Sequence, residues 1–438
     1  MKHAYALRLM PVLLLAAVTR AQPVDSLVNE AMRNYPGLKS LDYQIQAAEF
    51  RANAVQALPP PTLGLEFSQI PTNSLDVVNG AISNNLSVSQ MFMLGGKLSS
   101  MGDVEKKRGR VLEQDRASFA VQLRANVKMA YFRLWLLDRQ IEVRQSTLRL
   151  LEDLAQTMRP RVLTNRMRQA DLLTVQAEVA AERARLTSAR AKRVSAQNEL
   201  FSLLGRDEAS SSIVTDSVLT PGTLVISRAQ LEDRVRQLNP VLAGMEKMKE
   251  MNESEIAAAK STLSPDLMIQ AMVMRMPNGM ILTAGERSAY AIQQSAMGMP
   301  MGQTDWMYSI MASITLPFVP WSAERSSSRE EEYRAMNASI DAGKSAMQRD
   351  MLSRLRSSML KYMTADSLAR EYSSAILPLM REAAEAQVVS YETGQVPIST
   401  VLDARRMELM KRDDYLMVLV DREMALAEME MMAGGPLQ

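Results

Sequence analysis

The side chains that usually carry protein chemistry are nearly absent from this chain. Its 438 residues hold no Cys and one His, His3. His3 falls in the leader described below, and its removal with that leader leaves neither Cys nor His, which excludes zinc fingers, Cys/His metal centres, disulfides, thiol catalysis and Ser-His-Asp or Cys-His triads. Carboxylate-only or Ser-Lys chemistry is formally open, but Glu30, Glu49, Glu253 and Glu255 show no pairing that suggests catalysis. The run Lys106-Lys107-Arg108-Gly109-Arg110 reads as a solvated face, and a formal net charge of +2 implies no nucleic-acid field. No enzyme and no cofactor are expected.

Methionine is the exception, with 35 in the chain. Met268, Met272, Met274 and Met311 lie in stretches of period two. There they fall opposite the aliphatic set Leu267, Ile269, Ala271 and Val273, and opposite Ile310 and Ile314. Met280, Met297, Met299, Met301 and Met307 lie between or beside them. Thioethers are soft ligands suited to Cu(I) and Ag(I). The competing reading is that Met replaces Leu throughout, as at Met245, Met248 and Met429, where it fills gaps and favours helix.

The elements that must position these residues are mostly helical. Aromatics are only 5%, with Gly and Pro 18 each. Long helices are expected from about Leu98 to Arg159 and from Ser322 to about Thr393, each spanning about 90–105 Å at ~1.5 Å per residue. Leu148, Leu151, Ala155 and Met158 form a heptad-like seam on the first. Pro160 and Asn165 break it, as Gly394 and Pro397 break the second. Return helices follow from about Gln169 to Leu204 and from Ser399 to Met432. A helix of about 33 residues precedes each pair of alternating stretches, so an elongated molecule is expected.

The alternating stretches predict strands at about 61–71, 84–94, 265–275 and 307–317. Each is about nine to eleven residues, the length of a tilted membrane strand. Phe67, Phe92, Trp306, Tyr308, Phe318 and Trp321 sit near their ends. Pattern alone fits a membrane barrel and a soluble sheet packed on helices equally well.

The N-terminus reads as an address. Lys2 and Arg8 precede the apolar run Leu9–Val18, followed by Thr19-Arg20-Ala21, which is the layout of a signal peptide covering 1–21. The rest reads as a duplication, 22–228 and 229–438. Pro36 and Pro240 are 204 apart, and so are Pro61 and Pro265. Leu203-Leu204-Gly205 matches Met432-Ala433-Gly434. Hairpin tips fall at about 160–167 and 391–399, and the second copy carries about 22 extra residues within 276–306.

This order of elements, together with Tyr391-Glu392-Thr393-Gly394-Gln395-Val396-Pro397 running on to Val401-Leu402-Asp403-Ala404, resembles the TolC-like outer-membrane efflux protein family. Gln197-Asn198-Glu199-Leu200 and Leu203-Leu204-Gly205 fit that family's close of a repeat. Asn165 departs from it, standing where Gly is usual. The missing Cys departs from the lipidated metal-efflux branch. The resemblance implies a mainly α fold with a small β part. Three chains would close a 12-stranded outer-membrane β-barrel continued by a periplasmic α-helical barrel. It implies a passive exit duct in the outer membrane, extending into the periplasm. Its partners would be a periplasmic adaptor (membrane fusion protein) and an inner-membrane transporter. Physics independently requires an oligomer, since four strands cannot close a membrane barrel. Asp171, Tyr391 and Asp403 match the family's aperture positions. Asn165, Gly394, Gln395, Val396 and Pro397 would be the adaptor-contacting tips. Substrates left open are Cu(I)/Ag(I) or other heavy metals, drugs, and type I secreted proteins. A soluble periplasmic coiled-coil protein is the alternative of another class.

Overall fold

The computed structural model describes residues 22–70, 72, 75–164, 168–207, 212–219, 224, 226–276 and 305–437. The leader 1–21, Asn165, Met280, Met297, Met299 and Met301 lie outside them. Among the described residues no helix is long and apolar enough to cross a membrane. The chain divides into two compact units, one of residues 1–40, 116–240 and 347–438, the other of 41–115 and 241–346.

The elements run α1 (Val24–Asn34), α2 (Pro36–Gln56), β1 (Thr62–Ser68), β2 (Ser83–Met93), α3 (Lys97–Leu163) and α4 (Gln169–Leu204). A matching order follows in α5 (Arg228–Leu238), α6 (Pro240–Ser261), β3 (Asp266–Met276), β4 (Asp305–Ile314) and α7 (Pro320–Glu371), then α8 (Leu377–Glu392) and α9 (Ile398–Met432).

Four helix boundaries differ from the expectation, and each lies at a proline. The predicted 33-residue leading helices are interrupted at Tyr35 and Asn239, both extended (ψ 121° and 120°). Each precedes a proline, whose ring disfavours helical backbone in the residue before it. Pro160 does not stop α3, which continues to Leu163. One turn from the end, a missing N–H costs little. The second long helix is not uniform: a π-helical turn, Tyr372–Ile376, separates α7 from α8. Pro378, the second residue of α8, cannot donate to Ser374. The widened turn absorbs this as the Leu377 N–H donates to the Tyr372 carbonyl, five residues back.

In the first unit, α4 and α9 close in the same way. Gly205 ends α4 in left-handed conformation (φ 69°), and a Cβ there would sit 3.1 Å from the Asn34 carbonyl at the α1/α2 break. Gly434 follows α9 at φ 78°, and its Cβ would sit 2.4 Å from the Leu238 carbonyl at the α5/α6 break. Only glycine supplies both the dihedral and the close approach. A cluster around Leu27, Val127, Trp135, Leu200 and Leu204 forms the largest core. Tyr131 and Trp135 pin the segment after α4 to it: the Trp135 indole donates to the Asp216 carbonyl (2.8 Å), and the Tyr131 hydroxyl bonds the Asp216 carboxylate (2.9 Å).

In the second unit, the strands form one antiparallel meander, β1-β2-β3-β4. β4 begins two residues earlier than expected and ends at Ile314. Past it the Thr315 N–H donates to the Asp266 carbonyl, and the Thr315 hydroxyl accepts from the Asp266 N–H. Lys97, opening α3, pairs with Asp266 at 2.6 Å and ties that helix to the sheet.

Candidate functional site

Two places carry the residues singled out in the sequence, one in each unit. The first is where the helical hairpins turn. Leu151, Ala155 and Met158 of α3, Val175 and Val179 of α4, and Ile398, Val401 and Leu402 of α9 bury one another there. The heptad seam therefore does face a helical partner. The α8–α9 turn is a Schellman closure: Gly394 adopts φ 75°, its N–H donates to the Tyr391 carbonyl (2.9 Å), and the Gln395 N–H donates to the Ser390 carbonyl (2.9 Å). Pro397 then caps α9 in extended conformation, and Gln395 stays exposed while Val396 is half-buried. A Cβ on Gly394 would meet nothing within 4 Å, so the glycine answers to backbone geometry alone.

Asp171 sits in the first turn of α4, where the helix dipole favours a carboxylate. Half-buried Tyr391 lies within its electrostatic reach. Burial pushes the Tyr391 hydroxyl pKa up, and the Asp171 charge adds to this while Arg161 opposes it. Asp403 stands in the second turn of α9. It is largely exposed and bonds Arg406 of its own helix at 3.0 Å.

Arg406 opens a network that the sequence reading missed. Its guanidinium also grips Glu178 of α4 (2.5 Å). Glu178 further bonds Arg185 (3.0 Å), Arg185 bonds Glu182 (2.9 Å), Glu182 bonds Arg144 of α3 (3.2 Å), and Arg144 bonds Asp413 of α9 (3.3 Å). Glu178 and Glu182 are buried. The Arg406 hydrogen bond is the main cause holding the Glu178 carboxyl below its usual range, against a burial effect of opposite sign. Asp413 is pushed up chiefly by burial, with Arg144 opposing. This alternating chain of charges ties α3, α4 and α9 together just behind the tips. The spacing Glu178, Glu182, Arg185 on one helical face was its only sequence signal.

The second place is the sheet. Register puts Leu65, Leu86, Val273 and Tyr308 in one cross-strand row, with Val88, Ala271 and Ile310 in the next. These apolar side chains are exposed, Ile310 at 75% and Tyr308 at 85%. The opposite face is polar and methionine-rich. Ser87, Met272 and Ser309 share one row, while Met91 stands opposite Met268 and Met274 opposite Met307. Gln270 faces Met311. Met268, Met272 and Met274 are half-covered and Met311 is exposed. Trp306 and Tyr308 mark one end of β4, Phe318 and Trp321 the chain just past the other, all exposed. An apolar band between two aromatic girdles is the surface a transmembrane strand presents to lipid. Among the described residues no cluster of Asp, Glu, His and Cys could hold a metal ion.

Residues 27–206 match the outer membrane efflux protein family. No curated protein matches the sequence. Among solved structures, the chain is similar to CusC, with TM-score 0.70, 17% identity, and coverage of 94% of this chain and 92% of that one. It is similar to the Campylobacter jejuni CmeC outer membrane channel, with TM-score 0.72, 12% identity and coverage of 94% and 85%. The open state of the Neisseria gonorrhoeae MtrE outer membrane channel gives 0.67, 17%, 95% and 89%. At these identities the structural likeness is one of fold. The resemblance to the TolC-like outer membrane efflux proteins thus stands on two findings of different kinds: the family match over 27–206 and a fold shared across 94% of the chain.

Proposed function

We propose that this chain is the outer-membrane channel of a tripartite efflux system, a passive exit duct that extends into the periplasm and catalyses nothing. The two-faced sheet carries the reading, since a buried soluble sheet would not leave Leu65, Val273 and Ile310 uncovered. Four strands cannot close a barrel, so three chains supply twelve, their apolar faces outward and their Ser, Gln and Met faces lining the lumen. Residues 1–21 direct export, and 22–228 and 229–438 are the two copies of a duplication. The tips around Asn165, Gly394, Gln395, Val396 and Pro397 contact the periplasmic adaptor, which links the duct to an inner-membrane transporter. Asp171, Tyr391 and Asp403 constrict the periplasmic end. Fractionation of cells expressing the native chain tests the reading: it should sediment with outer membranes and purify as a trimer. A monomer in the soluble periplasm would favour the coiled-coil alternative and reject the duct.

The methionine face favours a soft cation as cargo. Cross-strand neighbours stand about 4.5–5.5 Å apart at Cβ, so Met91 with Met268 and Met274 with Met307 can offer paired thioethers, with Met272 and Met311 nearby. In a trimer each pair recurs three times, giving weak, exchangeable sites for Cu(I) or Ag(I). Drug efflux and type I secretion need no such sulfur and are separated from metal export by the methionine variant described in the Discussion.

A further inference from the structure

A cleft in the first unit lies outside both places described so far. It has a volume of about 710 Å³ and is walled by α3, the segment 217–219, the π-helical turn with its flanking helices, and α9. Its floor is apolar, built from buried Trp135 and Leu416 with Leu419 beside them. Its polar lining is lopsided: five arginines (139, 370, 381, 412 and 422) against two glutamates, Glu142 and Glu408.

Most of that positive charge is already answered. Arg422 bonds Glu423 (2.9 Å), Arg370 bonds Asp366 (2.8 Å), Arg381 bonds Glu385 (3.0 Å), and Glu408 is taken by Arg405 (2.7 Å). Two donors are not. Arg139 uses one terminal nitrogen for Glu142 (2.8 Å) and the Ser217 carbonyl (3.3 Å), while its buried Nε has no acceptor. The same guanidinium lies 6.0 Å from the Trp135 ring centroid, fixed over the floor. Arg412 is exposed on α9 and acts electrostatically on Asp413, but among the described residues it makes no hydrogen bond or close ion pair. A guanidinium with open, accessible donors is the side chain best shaped for carboxylate, sulfonate or phosphate. A cleft of this size, apolar at its floor and charged along its walls, has room for a small molecule with one acidic end.

We propose that this cleft binds a small amphipathic organic anion, its acidic head held by Arg412 and Arg139 and its apolar body laid on Trp135 and Leu419. The occupant touches α3, the π-helical junction and α9 at once, so it stiffens the junction from which the α8–α9 hairpin departs. The cleft lies within one chain, so the proposal rests on the channel reading only for nanodiscs as the medium, and a chain that stays in the aqueous fraction is assayed there with the same probes. The test uses the full-length chain in lipid nanodiscs, with 1-naphthoate and its neutral isostere 1-naphthamide as probes in equilibrium dialysis against empty nanodiscs. Naphthoate should bind saturably and about tenfold more tightly than naphthamide. Arg412→Gln should erase that preference while leaving naphthamide unchanged, and Leu419→Ala should weaken both. Arg412 is exposed and makes no contact the fold depends on, so its variant should keep the wild-type size-exclusion profile. Equal binding of the two probes, wild-type preference in Arg412→Gln, or no saturable naphthoate binding overturns the proposal.

Discussion

Removing the Glu178 charge should loosen the hairpin ends, and the structure sets the scale. The Glu178 side chain is 11% exposed, whereas Arg406 and Arg185, its two partners, are about half exposed. A fully buried pair broken on one side costs about 3–5 kcal/mol. An exposed pair is worth about 0.2–1 kcal/mol. Glu178→Gln keeps the volume and leaves two arginines that can hydrate, so ~2 kcal/mol per chain is expected, between those limits. Every ~1.4 kcal/mol is a factor of ten. Amide hydrogen exchange over 151–164, 168–180 and 398–410 should therefore speed up about 30-fold. Breaking the exposed Glu152–Arg183 pair of the same region should change it by less than about fivefold. The double-mutant cycle with Arg406→Gln should show ~1 kcal/mol of coupling, because Arg185 retains part of the load. The pH dependence has a fixed sign. The folded Glu178 carboxyl titrates below its ordinary value of 4.5. Its contribution is complete above that value and is lost as pH falls through the lowered one. Exchange corrected for its intrinsic rate should thus rise on acidification in the wild type, with no such rise in Glu178→Gln. Strict additivity with Arg406→Gln, within about 0.3 kcal/mol, would show that the two side chains do not clamp α4 to α9.

Gly434→Ala should lower the thermal midpoint much more than Gly394→Ala: both need positive φ, worth ~1–2 kcal/mol, but only at Gly434 would the Cβ strike a carbonyl, at 2.4 Å. Equal losses at the two positions would refute the steric part. If Asp171 and Asp403 restrain the aperture, changing both to Ala raises single-channel conductance in planar bilayers, and unchanged conductance in folded protein removes them from the gate. Changing Met268, Met272, Met274 and Met311 together to Leu conserves volume and apolarity and should reduce copper and silver tolerance. Wild-type tolerance at normal expression would discard metal contact and leave the fold untouched.

What the sequence disclosed depended on whether the signal was local. Period-two alternation located all four strands, because which residues share a face is settled by neighbours two apart. The same residues could not tell a lipid-facing sheet from a covered one. The register adds that Leu86, Val273 and Tyr308 align in one row that is exposed on the single chain. Pro36 and Pro240 are legible as landmarks, and the extended backbone each imposes on the residue before it splits a 33-residue helical pattern in two. Pro378 gives no such landmark, because the pattern around it is helical on both sides. A proline deep inside a strongly helical pattern looks tolerable until the backbone is required to find a donor for the orphaned carbonyl.

The charge network shows the opposite limit. Glu178 and Arg406 are 228 residues apart in sequence and meet only because two hairpins pack together. On one chain's helical wheel Asp403 is the acidic residue that draws notice, being next to the tip motif. In the fold its arginine neighbour is shared with a buried glutamate on another helix, so Asp403 competes for Arg406 with Glu178. Burial settles that competition. Glu178 has little water to turn to and needs the guanidinium more than exposed Asp403 does. Any movement that draws α9 from α4 must therefore break the Glu178 bond first, while the Asp403 bond, contained within one helix, can travel with it.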